Sequence, residues 1–588
     1  MGANLFFAGT GATLELPAEL CDEPLLEAWR ARVASARAGL GWPEKTLVVR
    51  RHAGGVSLAI AAPVDQLFLA TEVNEWALCA TLFERDPRRW HDLEAALLAA
   101  ALENAPAGTV DAPVLDAAAA RARFARLAAR EAQPALRALL AEAQRRALPW
   151  VHDETLLTLG AGRGSRGFPL AALPQPEAVP WPALHDIPTA LITGSNGKTT
   201  SVRLLAACAR EQGWHAGYNC TDGVFLGGEA LEHGDYSGPA GARRVLREPR
   251  AEAAILEVAR GGILRRGVAV SRARAVLVTN ISDDHFGEYG IDDLAGLADA
   301  KLSIAAVLPG DGVLVLNADD PTLRTSAGNL EGAGLARRFG RALRLAWFAL
   351  DFDHPQLTAQ RARGGASCGV RSGQLLLGSG ESLVDLGAIN TMPLTVGGHA
   401  TYNIANLAGA ALTAVALGMT PATIAAVFAR FGAAPLDNPG RMMRFEAGGV
   451  RVLVDYAHNP DGLRGFLKVA TAMRTPQGRL GLVLGHAGNR MDEDVRALAR
   501  VAAQFQPELI VIKEDEAHLR GRPVGDVPRI LRTELLRLGV PEAALPMCGS
   551  ELDAARQALA WARPGDVLAL PIHAADARAE VLRMLGGS

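Results

Sequence analysis

The 588-residue chain is 49% hydrophobic and 21% charged, the make-up of roughly three to four globular domains. Its 60 basic and 63 acidic residues nearly cancel, to a net charge of -3, and without a basic block no nucleic-acid partner is expected. No apolar run reaches about 18 residues and Leu5-Phe6-Phe7 has no basic flank, so neither signal peptide nor membrane span is expected and the predicted location is cytoplasmic.

The cysteines (Cys21, Cys79, Cys208, Cys220, Cys368, Cys548) lack C-x-x-C spacing and read as free thiols. Lysine is scarce. Only Lys45, Lys198, Lys301, Lys468 and Lys513 occur among the 60 basic residues, so a lysine marks a place where a compact, titratable amine is wanted and arginine would not serve.

Residues 1-105 predict a small α/β domain: a helix over Leu25 to Ala38, strands over Thr46 to Val49 and Val56 to Ala61, and an apolar helix ending near Leu82. No motif there is assignable. Residues 106-187 are rich in Ala and Arg, with Pro134 dividing helices over Leu115 to Ala132 and Ala135 to Ala147. The loop Gly160-Ala161-Gly162-Arg163-Gly164 is followed by no G-K-[ST], so it predicts a flexible connector or an edge hairpin, ahead of a Pro-rich linker from Pro169 to Pro188.

From Pro188 to about Arg430, short apolar runs alternate with helical stretches, which predicts a parallel sheet with crossover helices. From Val450 the pattern repeats, with strands over Val452 to Val454, Leu480 to Leu484, Leu509 to Ile512 and Val567 to Leu570. Ala433 to Gly440 is the expected hinge between the two sheets.

Between an apolar run (Ala190, Leu191, Ile192) and a helical pattern (Val202, Leu205, Ala206) stands Thr193-Gly194-Ser195-Asn196-Gly197-Lys198-Thr199-Thr200. This is a short phosphate cradle. Backbone N–H groups at a helix N-terminus gather positive charge, the glycines admit an anion, Lys198 adds a point charge and Thr199 offers a hydroxyl to Mg²⁺. An ordinary glycine-containing turn would not need the lysine.

Ligands of open α/β sheets sit beyond the carboxyl ends of the strands. Glu257 follows one apolar run, Thr279-Asn280 with Ser282-Asp283-Asp284-His285 another, and Asn317-Ala318-Asp319-Asp320 a third. Each alone reads more readily as a turn residue or helix cap than as a ligand. As a set they suit Mg²⁺, nucleotide or a reacting carboxylate.

T-G-S-N-G-K-T-T, T-N-I-S-D-D-H with Lys301 beyond it, L-N-A-D-D-P, N-I-A-N-L-A-G-A, N-P-G-R-M and D-Y-A-H-N-P-D-G stand in the order seen in Mur ligases. The resemblance covers roughly residues 188 to 588. Glu257 to Gly267 and Lys513 to Arg522 further resemble the C-terminal half of cyanophycin synthetase. The resemblance implies an α/β protein with a central P-loop domain over 188-433 and a Rossmann-like C-terminal domain over 434-588.

It also implies roles. Gly194, Ser195, Asn196, Gly197, Lys198, Thr199 and Thr200 would hold ATP phosphates. Thr199 and Glu257 would hold one Mg²⁺, and His285 a second, shared with Lys301 if that amine is carbamylated. Asn403 and Asn406 match a nucleotide motif in which Tyr402 replaces a histidine. Arg441 and Asp455 would meet phosphate and ribose on domain closure, with His458 and Asn459 lining the same cleft. Lys198, Glu257, His285, Lys301 and Arg441 form the implied catalytic set.

Two departures stand out. Cyanophycin synthetases carry an ATP-grasp domain before the Mur half. Here Leu139 to Leu170 resembles its lead-in, but the P-loop strand follows within about 30 residues, too few for such a fold. Gly488-Asn489-Arg490 also replaces an acidic G-D-R. The expectation is therefore an ATP-dependent amide ligase acting through an acyl phosphate. Its substrates would be a small or peptide carboxylate and an arginine-like amine; it would form a homodimer or larger assembly and would be unable to make cyanophycin alone. The alternative is a nucleotide-hydrolysing accessory protein; a folylpolyglutamate-synthase-like ligase fits the Arg- and Gly-rich stretches less well.

Overall fold

A computed structural model describes residues 2–45, 47–104, 112–283, 286–328, 332–488, 490–514 and 519–586. The chain gathers into two compact units: Met1–Leu191 with Gly217–Ala273 and Phe286–Pro309, and Ile192–Ala216 with Arg274–His285 and Gly310–Ser588.

The first unit opens on a three-stranded antiparallel sheet in which Gly55–Ala61 lies between Gly11–Leu16 and Val48–His52. Helices Glu23–Leu40, Leu67–Arg85 and Ala117–Glu131 bury Trp29, Val33, Val73, Trp76 and Phe124 against it. Burying Trp29 is possible because its indole N–H donates to Asn74 Oδ1 (2.9 Å), whose amide in turn donates to Leu58 O (2.8 Å). The sequence pattern shows five of these six elements within a few residues; strand Gly11–Leu16, with its irregular burial, escapes it.

The glycine loop is a hairpin turn rather than a flexible connector. Leu156–Leu159 pairs antiparallel with Arg166–Pro169, and between them Arg163 N donates to Ala251 O (2.9 Å). The Pro-rich stretch is also packed, because Trp181 and Leu184 are buried with Leu139 and Leu157 and the Trp181 indole donates to Pro176 O (2.7 Å). Further along, Ala216–Cys220, Gly223–Leu226 and Glu229–His233 form an antiparallel meander, and Ala253–Glu257 is wholly buried.

In the second unit, Ala275–Val278, Val313–Asn317, Arg344–Asp351 and Ala366–Arg371 run parallel in that order. The expected parallel pattern ends there. Gln374–Ser379 and Ser382–Ala388 continue antiparallel, because the links Ser372-Gly373 and Gly380-Glu381 are too short for a crossover helix.

A separate six-stranded sheet has the order Met443–Ala447, Val450–Asp455, Val567–Pro571, Leu480–Leu484, Leu509–Lys513, Met547–Cys548, parallel except for its first strand. Helices Pro460–Ala472, Asp492–Gln504 and Asp526–Arg537 cover one face, through Phe466, Leu498 and Leu531. Helices Glu551–Trp561 and Ala575–Met584 cover the other, through Ala554, Ala558 and Val581. Cover on both faces explains why its inner strands read as unbroken apolar runs. No described helix is long and apolar enough to cross a membrane.

Candidate active site

Strand Thr189–Thr193 turns through residues 194–197 into helix Lys198–Glu211. The turn needs two glycines in conformations other residues avoid, Gly194 at φ 147° and Gly197 at φ 85°. A Cβ on Gly197 would lie 3.0 Å from Asn406 Cγ and nearer still to its Oδ1. The loop thus passes against a buried amide with no room between.

The residues after strand Ala275–Val278 splint the loop. Ser195 N donates to Asn280 O and Asn196 N to Asn280 Oδ1 (both 2.9 Å), while the Thr279 hydroxyl donates to Asn196 O (2.5 Å). Ser195 Oγ donates to Ser282 O and accepts from Ser282 N, both at 3.0 Å. Lys198 Nζ turns back to donate to Gly194 O and Ser195 O, each at 3.0 Å. An ammonium and the positive end of a helix dipole therefore gather at one loop, the electrostatics of an anion site.

The next strand end is structural. Asn317 Nδ2 donates to Thr279 O (3.0 Å), and Asp320 accepts from Ile281 N (2.5 Å) while capping the helix Pro321–Ala327 through Leu323 N (3.0 Å). Burial raises the Asp320 pKa against the pull of these bonds. Asp319 accepts from Leu350 N (2.7 Å). Both aspartates act as turn and cap groups, the alternative their sequence position left open.

Asn403 and Asn406 lie buried on helix Thr401–Leu417; Asn406 Nδ2 donates to Asn403 Oδ1 (3.1 Å) and Asn403 Nδ2 to Leu394 O (3.0 Å). Of the two, Asn406 packs directly against Gly197 of the loop. Tyr402, the residue in the histidine's place, is half-buried; desolvation pushes its hydroxyl pKa well up, and the Asp455 charge adds to the shift.

The loop also reaches the segment leading into the six-stranded sheet. Arg203 is 6% exposed and donates to Pro439 O (2.6 Å) and Asn438 Oδ1 (3.2 Å), while Asn438 Nδ2 donates to Thr200 Oγ1 (3.2 Å). Asn196 accepts from Asn459 Nδ2 (3.0 Å) and donates to Asp461 Oδ2 (3.3 Å), at the start of helix Pro460–Ala472. The Arg441 guanidinium lies 4.3 Å from the Tyr456 ring centre, and the His458 ring meets Tyr456 edge-on at 5.5 Å. Asp455 accepts from Met442 N (2.6 Å); burial raises its pKa, with Arg441 opposing. Arg441, Asn438, Leu394 and Ala434 line a shallow depression.

In the first unit, Glu257 ends its strand at 1% exposure, with Thr221 Oγ1 3.5 Å from its Oε1 and its carbonyl held by Asn219 Nδ2 (3.0 Å). Lys301 is buried on helix Leu294–Leu302, whose cap Asp293 accepts from Gly296 N (2.7 Å). The N-terminal hairpin fixes the loop before that helix: Arg50 donates to Gly290 O (2.6 Å) and Ala53 N to Asp292 Oδ2 (2.7 Å). His285 lies outside the described residues.

Among the described residues no three His, Cys, Asp or Glu side chains cluster as a metal site. The donors present suit a hard oxygen-seeking ion that takes phosphate and water alongside a hydroxyl or carboxylate. Sequence reasoning gave no role to the side chains of Arg203, Asn438 or Arg50. In a chain that uses arginine throughout, nothing sets Arg203 or Arg50 apart.

A Mur ligase middle-domain model matches residues 192–352, and a Mur ligase glutamate-ligase-domain model matches residues 440–570. Over 389 residues, 64% of this chain, it is 36% identical to the cyanophycin synthetase of Geminocystis herdmanii, and spans 43% of that protein's length. Over 385 residues, again 64% of this chain, it is 31% identical to a UDP-N-acetylmuramoyl-L-alanyl-D-glutamate–2,6-diaminopimelate ligase from Alkalilimnicola ehrlichii, covering 69% of that enzyme. Among solved structures, a ligand-free bifunctional folylpolyglutamate synthase/dihydrofolate synthase from Yersinia pestis aligns with 68% of this chain and 90% of its own, at 17% identity and a TM-score of 0.48.

Proposed function

Because the chain belongs to the Mur ligase family, we propose that it uses ATP to activate a carboxylate and joins the acyl group to an amine. The observation that carries this is the loop at 194–197, braced by Asn280 and Asn406, with Lys198 across its carbonyls. In the reaction a carboxylate oxygen displaces ADP from the γ-phosphorus. The amine nitrogen then attacks the acyl carbon, phosphate leaves, and the amine proton passes to solvent.

The chain's own part is to hold and orient. Lys198 exchanges the carbonyls of Gly194 and Ser195 for phosphate oxygens, and Ser195, Asn196, Thr199 and Thr200 complete the cradle. Asn403 and Asn406 keep the loop in place, while Arg441 and Asp455 meet phosphate and ribose. Thr199, Glu257, His285 and a carbamylated Lys301 would hold Mg²⁺, which when bound neutralises charge on the phosphate oxygens. Water exclusion would come from closing the 434–588 domain onto the 188–433 domain.

The likeness to cyanophycin synthetases supports an arginine-like amine and an aspartyl or peptide acid. The short packed stretch between Leu170 and Thr189 supports a chain that cannot make cyanophycin by itself; polymer from Asp, Arg and ATP would refute this. A homo-oligomeric cytoplasmic protein fits the same reading. The test is phosphate release over a panel of acids and amines. Stimulation by one acid–amine pair is expected, whereas a flat basal rate overturns ligation in favour of an ATP-hydrolysing accessory role.

A further inference from the structure

Behind Tyr456 lies a buried ion pair that no step above uses. Lys513 ends strand Leu509–Lys513 with no exposure, and its Nζ donates to Glu551 Oε1 and to Pro571 O, the latter at 2.7 Å. Glu551, 5% exposed, also accepts from the backbone N–H of His573 (3.0 and 3.1 Å) and of Ala574 (2.7 Å). Burial would raise the Glu551 pKa, but Lys513 and His573 hold it below the ordinary value, so the group stays a carboxylate able to accept all three donors.

Those bonds decide where the His573 ring goes. Asp455 and Pro571 are register partners on adjacent parallel strands, and Tyr456 and His573 follow them one and two residues on. Their rings lie 5.0 Å apart at 58°, and His573 Nε2 sits 3.3 Å from Ala457 O. Tyr456 in turn lies under Arg441. A continuous chain of contacts thus runs from the core of the sheet to the guanidinium at its edge.

The Lys–Glu pair is an unusual choice on stability grounds. Desolvating two charges usually makes such a pair no better than an apolar pair of the same shape. This chain also spends one of its few lysines here, and Gly485, whose Cβ would come within 2.5 Å of Lys513 Cγ, leaves the room for its stem. We propose that Lys513, Glu551 and His573 are positioning residues, which fix the Tyr456 ring so that it holds the Arg441 guanidinium ready for a nucleotide phosphate. The proposal rests on the assignment of ATP to this site.

The test is calorimetric titration of the full chain with ATP, combined with thermal unfolding. His573→Ala should weaken ATP binding about three- to thirty-fold, the span of a cation–π contact from exposed to desolvated settings. His573→Phe, which keeps a ring beside Tyr456, should restore most of the affinity. In an Arg441→Ala background the His573→Ala change should have no further effect, an outcome that general loosening of the domain would not give. Wild-type affinity in His573→Ala, or an equal loss with and without Arg441, overturns this proposal alone. A wild-type chain that does not bind ATP overturns the site assignment as well. Should His573→Ala not fold, Tyr456→Leu against Tyr456→Phe makes the same comparison.

Discussion

Gly197→Ala is the sharpest single perturbation of the loop at 194–197. At φ 85° and ψ -8° an alanine would be held in left-handed backbone, at a cost of about 1–2 kcal/mol. Its Cβ would lie 3.0 Å from Asn406 Cγ and 3.2 Å from Nδ2, with Oδ1 closer than either. Asn406 sits mid-helix and relieves the overlap only by rotating, which forfeits its bond to Asn403 (3.1 Å), worth about 1 kcal/mol. The total is about 2–3 kcal/mol. If the loop relaxes in the free protein, the same energy reappears when nucleotide forces it back. ATP affinity then falls about 30- to 160-fold. Calorimetry with a non-hydrolysable ATP analogue measures the affinity, and urea unfolding measures the stability. Adding Asn406→Ala to Gly197→Ala should bring little further loss, since the bond to Asn403 that it removes is already forfeited. A Gly197→Ala protein with unchanged affinity and unchanged stability would refute the reasoning.

Two further outcomes follow from groups around the loop. Arg203→Met strands the buried acceptors Pro439 O and Asn438 Oδ1 and should cost about 2–3 kcal/mol in urea unfolding; a loss under about 0.5 kcal/mol, the range of neutral surface changes, would show these bonds to be dispensable. Asp320 has a raised pKa through burial, so folding favours its protonated form. Its contribution is complete below the ordinary carboxylate value of about 4 and is lost as pH rises through the folded value. Asp320→Asn does not titrate and turns an amide N–H toward a backbone donor, so it should be less stable than wild type at acid pH, by a gap that narrows toward neutrality. Unfolding across that range checks the slope, and a gap that widens with pH would contradict the sign.

Much of the local chemistry is written in the chain itself. A lysine after two glycines, between an apolar run and a helical pattern, predicts a tight strand-to-helix turn, because positive φ and a helix start are local properties of Gly194, Gly197 and Lys198. The unbroken apolar runs of the C-terminal sheet likewise follow from strands buried on both faces. Sequence alone left open whether Asp319 and Asp320 were ligands or caps, and read Pro169 to Pro188 as a linker. Only packing shows that Asp320 spends its oxygens on Ile281 and Leu323, and that Trp181 is core.

What the tertiary structure alone decided are partnerships across long stretches of chain: Asn406 against Gly197, Arg203 on Asn438, Lys513 through Glu551 and His573 to Tyr456. No period or motif encodes them. An amide or a guanidinium takes its role from whichever acceptor the fold brings within hydrogen-bond reach, and the fold settles that by burying the apolar faces first.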